Sequence, residues 1–284
     1  MVREFKLVNE KGQEYSLMDI ENYCLLTEPS GLGLSYSTEY EQLANTFISN
    51  LRKIEQGQIN GTVNFLSYDN YKNLVDFTEN AENLKIAYKI PFRDGAKEYF
   101  KDINIQSLTK TQIQENGVIS EDITFDCLSL WYEEKTAIYN MESQSDEIRW
   151  DFEWDSEFVD YDTRNLEYIN KGHVEAPILV EMDGYLRNPK IELYIEGQLY
   201  QTVKFTTKIA EYERLLYGTK ENEFYINRQK TDGTLESLFN LDVIDFYNDN
   251  VIRIPKNKSC EIRLKADNEV LNAKVTILVF YKAV

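Results

Sequence analysis

The sequence predicts a mainly β protein with two domains and a single short helix in its first half. Its 284 residues exceed what one compact core usually needs, so two domains are the first expectation. Apolar residues make up 42% of the chain and include 20 Tyr and 14 Phe, enough to build folded cores with half-exposed sheet surfaces. Short alternating apolar runs separated by Gly and Pro recur along the chain, a pattern typical of strands.

The N-terminal residues predict a hairpin followed by a third strand. Alternating apolar positions in residues 2–26 are interrupted at residues 9–12 and again at Met18 and Asp19. Residues 28–33 contain one Pro and two Gly, so this segment is predicted to be a turn.

A short helix and two core strands are predicted next. Ser67 is a suitable N-cap, and the apolar residues after it share one helical face. These are Tyr68, Tyr71, Leu74 and Val75. Residues 84–90 alternate as a strand that Pro91 ends, and residues 119–131 keep one apolar parity between acidic residues.

The second half also predicts strands. Pro177 opens an apolar run, Asn188 and Pro189 form a turn, and residues 191–196 then alternate between apolar and polar. The result is two strands joined by an Asn-Pro turn, with the polar set facing water. Further strands are predicted at residues 202–207, 224–227, 251–254, 261–266 and 273–281, with a turn at Asp232 and Gly233.

The composition changes at residues 141–162, where nine acidic residues accompany one Arg. Trp150, Phe152 and Trp154 alternate with acidic residues there, which would place the aromatic rings on one strand face. One interpretation is an acidic strand or linker whose aromatic side packs on a domain. The other is a carbohydrate platform, because Trp rings stack on sugars and carboxylates accept hydroxyl hydrogens.

Charge and cysteine content exclude several classes of protein. A formal charge of −18 argues against broad contacts with nucleic acid phosphates and favours solubility. Cys24, Cys127 and Cys260 match no disulfide or zinc spacing, so buried thiols are expected. The N-terminal residues lack an apolar run of signal-peptide length, so folding in a cytoplasm and no membrane insertion are expected.

Catalytic chemistry finds little support in the residue types. His173 is the one histidine, and no Gly-x-Ser-x-Gly motif accompanies it. A glycosidase could use two carboxylates, such as Glu153 with Asp155 or Glu211 with Glu213, but 49 acidic residues produce such pairs by chance. We therefore expect neither an enzyme nor a bound cofactor or metal.

The order of several motifs resembles a known family. Residues 29–33 form a Pro-x-Gly turn, residues 68–77 a helix with paired tyrosines, residues 84–88 an L-x-I-x-Y strand, and residues 130–132 read Leu-Trp-Tyr. Residues 172–197 then add an apolar strand, a Gly, an Asn-Pro and an alternating strand. In this order, over nearly the whole chain, they resemble siphophage distal tail proteins (Dit-like), the hubs of tail-tip baseplates.

The resemblance implies an N-terminal β-rich ring-forming domain at residues 1–140 and a C-terminal galectin-like β-sandwich at residues 166–284. Residues 141–165 would be a linker or the first strand of the second domain. The implied partners are five further copies in a homohexamer, the tail tube protein, the tail-tip protein and, in elaborate baseplates, receptor-binding proteins. The implied location is the virion tail tip, where an acidic lumen would repel DNA phosphates in transit.

Two sets of candidate binding residues follow. Leu32, Leu34 and Tyr36 are apolar residues beside a Gly-rich bend and are predicted to form the ring interface. The alternative function is a carbohydrate-binding module for host cell-wall glycans, with Trp150 and Trp154 as its platform.

Overall fold

The computed structural model describes residues 3–19, 24–90, 97–111, 117–139, 165–240, 242–244, 249–267 and 272–284. The chain divides into two compact units. Unit 1 comprises Met1–Glu133 together with Phe280–Val284, and unit 2 comprises Glu134–Val279. The predicted mainly β fold is confirmed: strands dominate both units, and α1 is the one helix in the described part of the chain.

Unit 1 is built on a twisted antiparallel sheet. Its strands are β1 (Glu4–Asn9), β2 (Glu14–Ser16), β3 (Met18–Asp19), β4 (Cys24–Ser30), β5 (Tyr36–Leu43), β6 (Thr46–Ile54), β7 (Gln58–Phe65), β8 (Leu84–Lys89), β9 (Glu98–Leu108) and β10 (Ile119–Cys127), and β11 (Trp131–Tyr139) begins here. Neighbouring strands follow the order β9-β10-β7-β4-β3, and β8 pairs with both β1 and β9. Strands β5 and β6 form a separate two-stranded ribbon.

The core of unit 1 lies between one face of this sheet and the helix α1 (Tyr68–Glu79). Ser67 caps the helix as predicted, because its Oγ accepts a hydrogen bond from the Asn70 backbone N–H at 3.2 Å. Leu74 is the buried residue of the helix. Trp131, Phe65 and Phe125 are the largest fully buried side chains of this core.

Unit 2 contains two larger sheets. Its strands are β12 (Asn165–Ile169), β13 (Ala176–Asp183), β14 (Leu186–Arg187), β15 (Lys190–Ile195), β16 (Gln198–Lys204), β17 (Lys208–Ile209), β18 (Arg214–Gly218), β19 (Tyr225–Gln229), β20 (Leu235–Ser237), β21 (Arg253–Ile254), β22 (Ser259–Lys265) and β23 (Ala273–Tyr281), whose end belongs to unit 1. One sheet has the order β20-β19-β18-β13-β23 and the other the order β12-β22-β15-β16. Each sheet has one buried apolar face, as in a β-sandwich.

Two local predictions need correction. Residues 28–30 continue strand β4 across a bulge, at which Glu28 has a φ of 51°, so the predicted turn begins only at Gly31. The two strands predicted around the Asn188-Pro189 turn both exist, but the short strand β14 lies between β13 and the turn, and the two enter different sheets: β13 pairs with β18, β21 and β23, whereas β15 pairs with β16 and β22.

The predicted linker falls on residues that the structure does not describe, because residues 140–164 lie outside the described ranges. The boundaries at residues 140 and 165 therefore stay a prediction. The assignment of Phe280–Val284 to unit 1 is a feature that the linear sequence did not indicate.

Candidate subunit interface

The ribbon formed by β5 and β6 exposes nearly all of its side chains. Its strands pair from Tyr36 opposite Ile54 to Leu43 opposite Thr46, with one bulge after Glu39. All residues of β6 are exposed, and within the described ranges neither strand pairs with any third strand. An isolated two-stranded hairpin is marginally stable in water, so this element has the properties of a contact surface.

The register gives the ribbon two chemically different faces, because directly paired residues point to the same side. The aromatic face consists of Tyr36, Thr38, Tyr40, Gln42, Phe47, Ser49, Arg52 and Ile54. The acidic face consists of Ser37, Glu39, Glu41, Leu43, Thr46, Ile48, Leu51 and Lys53. Tyr40 and Phe47 are 65% and 69% exposed, and no carboxylate lies on their face. Two neighbouring aromatic side chains that are exposed to water to this extent are typical of a binding surface.

The ribbon is rooted in the core of unit 1 through residues 31–35. Gly31 has a φ of 78°, and a Cβ atom there would clash with the carbonyl oxygen of Gln58. The indole Nε1–H of Trp131 donates a hydrogen bond to the carbonyl oxygen of Leu32 at 3.1 Å. The Glu55 N–H donates to the Ser35 carbonyl oxygen at 3.1 Å and closes the base of the ribbon. These contacts fix the direction in which the ribbon leaves the core.

The three residues predicted for the ring interface occupy different environments. Leu32 is half-buried and packs against the core of unit 1. Leu34 is half-buried in the segment that leads to the ribbon. Tyr36 begins β5 on the aromatic face, where the guanidinium carbon of Arg52 lies 3.8 Å from its ring centroid. Their role at an interface stays a prediction, but Tyr36 belongs to the surface that the ribbon exposes.

Sequence reasoning missed Tyr40 and Phe47. The ribbon turns at Ala44 and Asn45 without the Asn-Gly or Asp-Gly pair that marks many tight hairpins. Its residues also mix apolar and polar types on both faces, so a single buried face cannot be recognised from alternation. The residues that could have signalled it are the paired tyrosines, Tyr36 and Tyr40, which have one parity.

The carbohydrate platform predicted at Trp150 and Trp154 lies outside the described residues, as do Glu153 and Asp155. Glu211 lies in the turn before β18 and Glu213 directly precedes that strand, so the two residues do not share a strand face. A carboxylate oxygen of Glu213 instead accepts a hydrogen bond from the Ala210 N–H at 2.9 Å. This acid therefore organises a turn.

Histidine, potential metal ligands and cysteines are the other reactive groups to consider in the described part of the chain. His173 is exposed, and no group of three or more potential metal ligands occurs within the described ranges. The three cysteines are buried free thiols, as predicted, and burial raises the pKa of Cys24 to about 12. Thiols with raised pKa values are poor nucleophiles. No helix in the described part of the chain is long and apolar enough to cross a membrane.

A buried carboxylate in unit 2 is surrounded by several partners. Glu192 is 5% exposed, and its carboxylate accepts hydrogen bonds from Lys265 at 2.6 Å and Tyr194 at 3.1 Å. Lys190 forms a 3.0 Å ion pair with the same carboxylate. Burial raises the pKa of Glu192, but these partners outweigh burial and hold the pKa below its ordinary value. The cluster stabilises a sheet, and these three partners engage the Glu192 carboxylate.

Comparison with known proteins gives consistent matches. The family model of the distal tail protein N-terminal domain matches residues 4–128. The distal tail proteins of Lactococcus phages SK1 and p2 are each 28% identical to this chain over 138 residues, which is 46% of this chain and 46% of each relative. The alignment thus spans about half the length of these relatives.

Solved structures resemble the chain over almost its full length. A chain of the phage P2 baseplate in its activated conformation with calcium superposes with a TM-score of 0.71 at 19% identity, covering 100% of both chains. The Dit protein of phage SPP1, described as a paradigm of the hub adsorption apparatus in phages that infect Gram-positive bacteria, gives 0.55 at 10% identity. That match covers 96% of this chain and 98% of the SPP1 chain. At these identities the likeness concerns the fold.

The β-rich unit with helix α1 and these matches make the chain similar in sequence and fold to the distal tail proteins of phages. The chain is Dit-like: its residues 4–128 match the N-terminal domain family of distal tail proteins, and its fold is similar to that of solved Dit structures.

Proposed function

We propose that this protein is the hub of a siphophage tail tip, and that six copies form a ring through unit 1. The ring joins the tail tube to the tail-tip protein, and unit 2, a galectin-like sandwich in this proposal, anchors receptor-binding proteins. The family match and the baseplate-like fold support the hub role. The protein works mechanically, so no catalytic residue is needed.

The observation that carries this proposal is the exposed ribbon of β5 and β6. A monomer gains nothing from exposing Tyr40 and Phe47, because burial of an aromatic side chain is among the largest contributions to association. Both edges of the ribbon are also unpaired within the described ranges, and unpaired strands are natural sites for contacts between copies. A repeated contact of this kind closes into a ring when its rotation allows.

The first experiment measures the mass of the purified full chain by light scattering after gel filtration, across concentration and salt. Negative-stain images of the largest species complete it. A six-fold ring with a central hole is the expected result. A chain that stays monomeric up to its solubility limit, alone and with purified tail tube protein, would contradict the ring.

The ribbon is tested with the double variant Tyr40→Ser and Phe47→Ser. Both side chains are exposed, so unfolding free energy should change by less than about 1 kcal/mol. Each of the two aromatic side chains should contribute roughly 2 kcal/mol to the contact between copies, so loss of either one should weaken that contact by about 30-fold. Tyr212→Ser is the matched control, because Tyr212 is 79% exposed but lies in unit 2. If the double variant and Tyr212→Ser assemble to the same extent, the ribbon is not part of the interface.

Leu32 is less suitable for this test than the sequence suggested. Because Leu32 packs against the core, Leu32→Asp would disturb folding as well as any ring contact. The carbohydrate-binding alternative is not favoured by the comparisons.

A further inference from the structure

The described surface of unit 1 contains a groove that is separate from the ribbon. It runs between the C-terminal half of α1 and strand β9 and has a volume of about 520 Å³. Half-buried apolar side chains line its floor: Tyr71, Val75, Leu84, Ile105 and Leu108. Polar and acidic residues form its rim, including Thr78, Glu79, Glu82, Gln106 and Ser107. Its volume is within the range of about 300–1,000 Å³ that is typical of binding pockets.

The ribbon and the groove are unlike surfaces on the same unit, one projecting and one concave. A contact between such surfaces on two copies is heterologous, and repetition of it produces a ring or a filament. A chain that forms a closed ring needs this kind of pair, because a self-complementary patch would stop at a dimer.

Charge selects which face of the ribbon fits the groove. The charged residues that line the groove are both acidic, Glu79 and Glu82. The acidic face of the ribbon presents Glu39 and Glu41 against the single cation Lys53, so its net charge is negative and the acidic rim would repel it. The aromatic face has Arg52 and no carboxylate, so it complements the rim while its rings match the apolar floor.

We propose that the aromatic face of one copy's ribbon seats in the groove between α1 and β9 of the next copy, with Tyr40 and Phe47 as the inserted side chains. This inference rests on the proposed ring and adds the acceptor surface. The acidic face of the ribbon then stays turned away from the groove.

Two conservative substitutions test this contact by disulfide formation. Ser49 is exposed on the aromatic face, and Ser107 is exposed on the groove rim. The native cysteines are buried, so they contribute little background. Under mild oxidation, a mixture of the single variants Ser49→Cys and Ser107→Cys should give a covalent dimer, and the double variant should give a ladder of oligomers. Both products should revert with reductant.

Ile48→Cys is the matched control. Ile48 is adjacent to Ser49 but lies on the acidic face, so its mixture with Ser107→Cys should form at least ten-fold less dimer. Each oxidation is run on samples of full chain whose mass is measured by light scattering beforehand. If rings form but positions 49 and 107 do not become linked, the groove is not the acceptor of the ribbon, although the ring itself is still supported.

The remaining outcomes are equally decisive. Equal links from positions 48 and 49 would also overturn the choice of face. A selective link from position 49 in a sample without rings would support the groove and count against ring formation by the isolated protein. If no disulfide forms at the highest soluble concentration, the groove is not the surface that accepts the ribbon, whatever assembly mass light scattering gives.

Discussion

Two buried charges in this protein are stabilised in different ways. Glu192 accepts hydrogen bonds from three partners, and those partners lower its pKa. Lys101 is 5% exposed in the core of unit 1, where its ammonium lies 4.8 Å from the Trp131 ring centroid. Burial lowers the pKa of Lys101, partly offset by Cys127. The Glu192 carboxylate stabilises its sheet. Burial of the Lys101 ammonium is unfavourable, and its contact with the Trp131 side chain offsets that cost only in part.

Glu192→Gln should reduce the unfolding free energy by about 1–3 kcal/mol at neutral pH, because two ammonium groups lose their shared carboxylate. The native pKa is lowered, so this stabilisation is present above the unfolded-state value near 4.5 and is lost as pH falls through the native value. Denaturant melts from pH 7 to pH 3 should therefore show the two proteins converging.

Glu261→Gln is the control on the same sheet, since Glu261 forms its ion pair with the partly exposed Arg263. It should cost about 1 kcal/mol or less. If the difference in unfolding free energy between Glu192→Gln and the native protein stays constant across this pH range, the assigned ionisation of Glu192 is contradicted.

Lys101→Met should stabilise the protein at pH 7, because a buried ammonium is replaced by an apolar side chain of similar length. The native pKa is below the unfolded value of 10.5, so the native protein gains stability as pH rises toward 10.5. The advantage of the variant should therefore shrink from pH 7 to pH 10 in denaturant melts. Lys110→Met, at an exposed position, is the control. An advantage that grew with pH would refute this account.

At the scale of elements, local signals decided which predictions succeeded. The helix was predicted because its cap and its apolar face both lie within a dozen residues, from Ser67 to Val75. Strand β23 was predicted at the observed residues, because a long apolar run is typical of a fully buried strand. The ribbon was missed because it buries almost no side chain within the described chain, so no buried face imposes a pattern on its sequence.

The segment that roots the ribbon depends on Gly31. In Gly31→Ala the added methyl group meets the backbone carbonyl of Gln58, and the φ of 78° is unfavourable for Ala. We expect a loss of more than about 2 kcal/mol in unfolding free energy and displacement of the ribbon. Thermal melts and the mass of the assembly measure both effects. Gly33→Ala is the control, because no atom lies within 4 Å of its added methyl.

At the scale of the whole molecule, the end of the chain belongs to unit 1. The Tyr281 ring packs edge-on against Tyr99 at 5.5 Å between centroids, and its hydroxyl donates to Glu133 at 3.3 Å. Phe280 packs against Tyr132 at 5.4 Å. Unit 1 is therefore discontinuous in sequence, and its last residues follow the whole of unit 2.

Deletion of residues 280–284 should destabilise unit 1 by roughly 2–4 kcal/mol, because two aromatic side chains leave its packing. Limited proteolysis followed by mass spectrometry should show cleavage appearing in unit 1 at lower protease concentration. Deletion of Ala283 and Val284 alone removes exposed residues and is the control. Unchanged protection of unit 1 in the longer deletion would refute this role for the chain end.

The sequence by itself determined the β-rich class, the capped helix, most strand positions and the family, because alternation, caps and turn residues are local properties of the chain. Tertiary structure alone decided how strands pair, since β13 and β15 lie close together along the chain but join different sheets. It also buried Glu192, which alternation placed toward water, because Lys190 of the same strand and Lys265 of the neighbouring strand β22 cover it. The exposed ribbon could not be inferred beforehand, because its exposure depends on how distant residues pack.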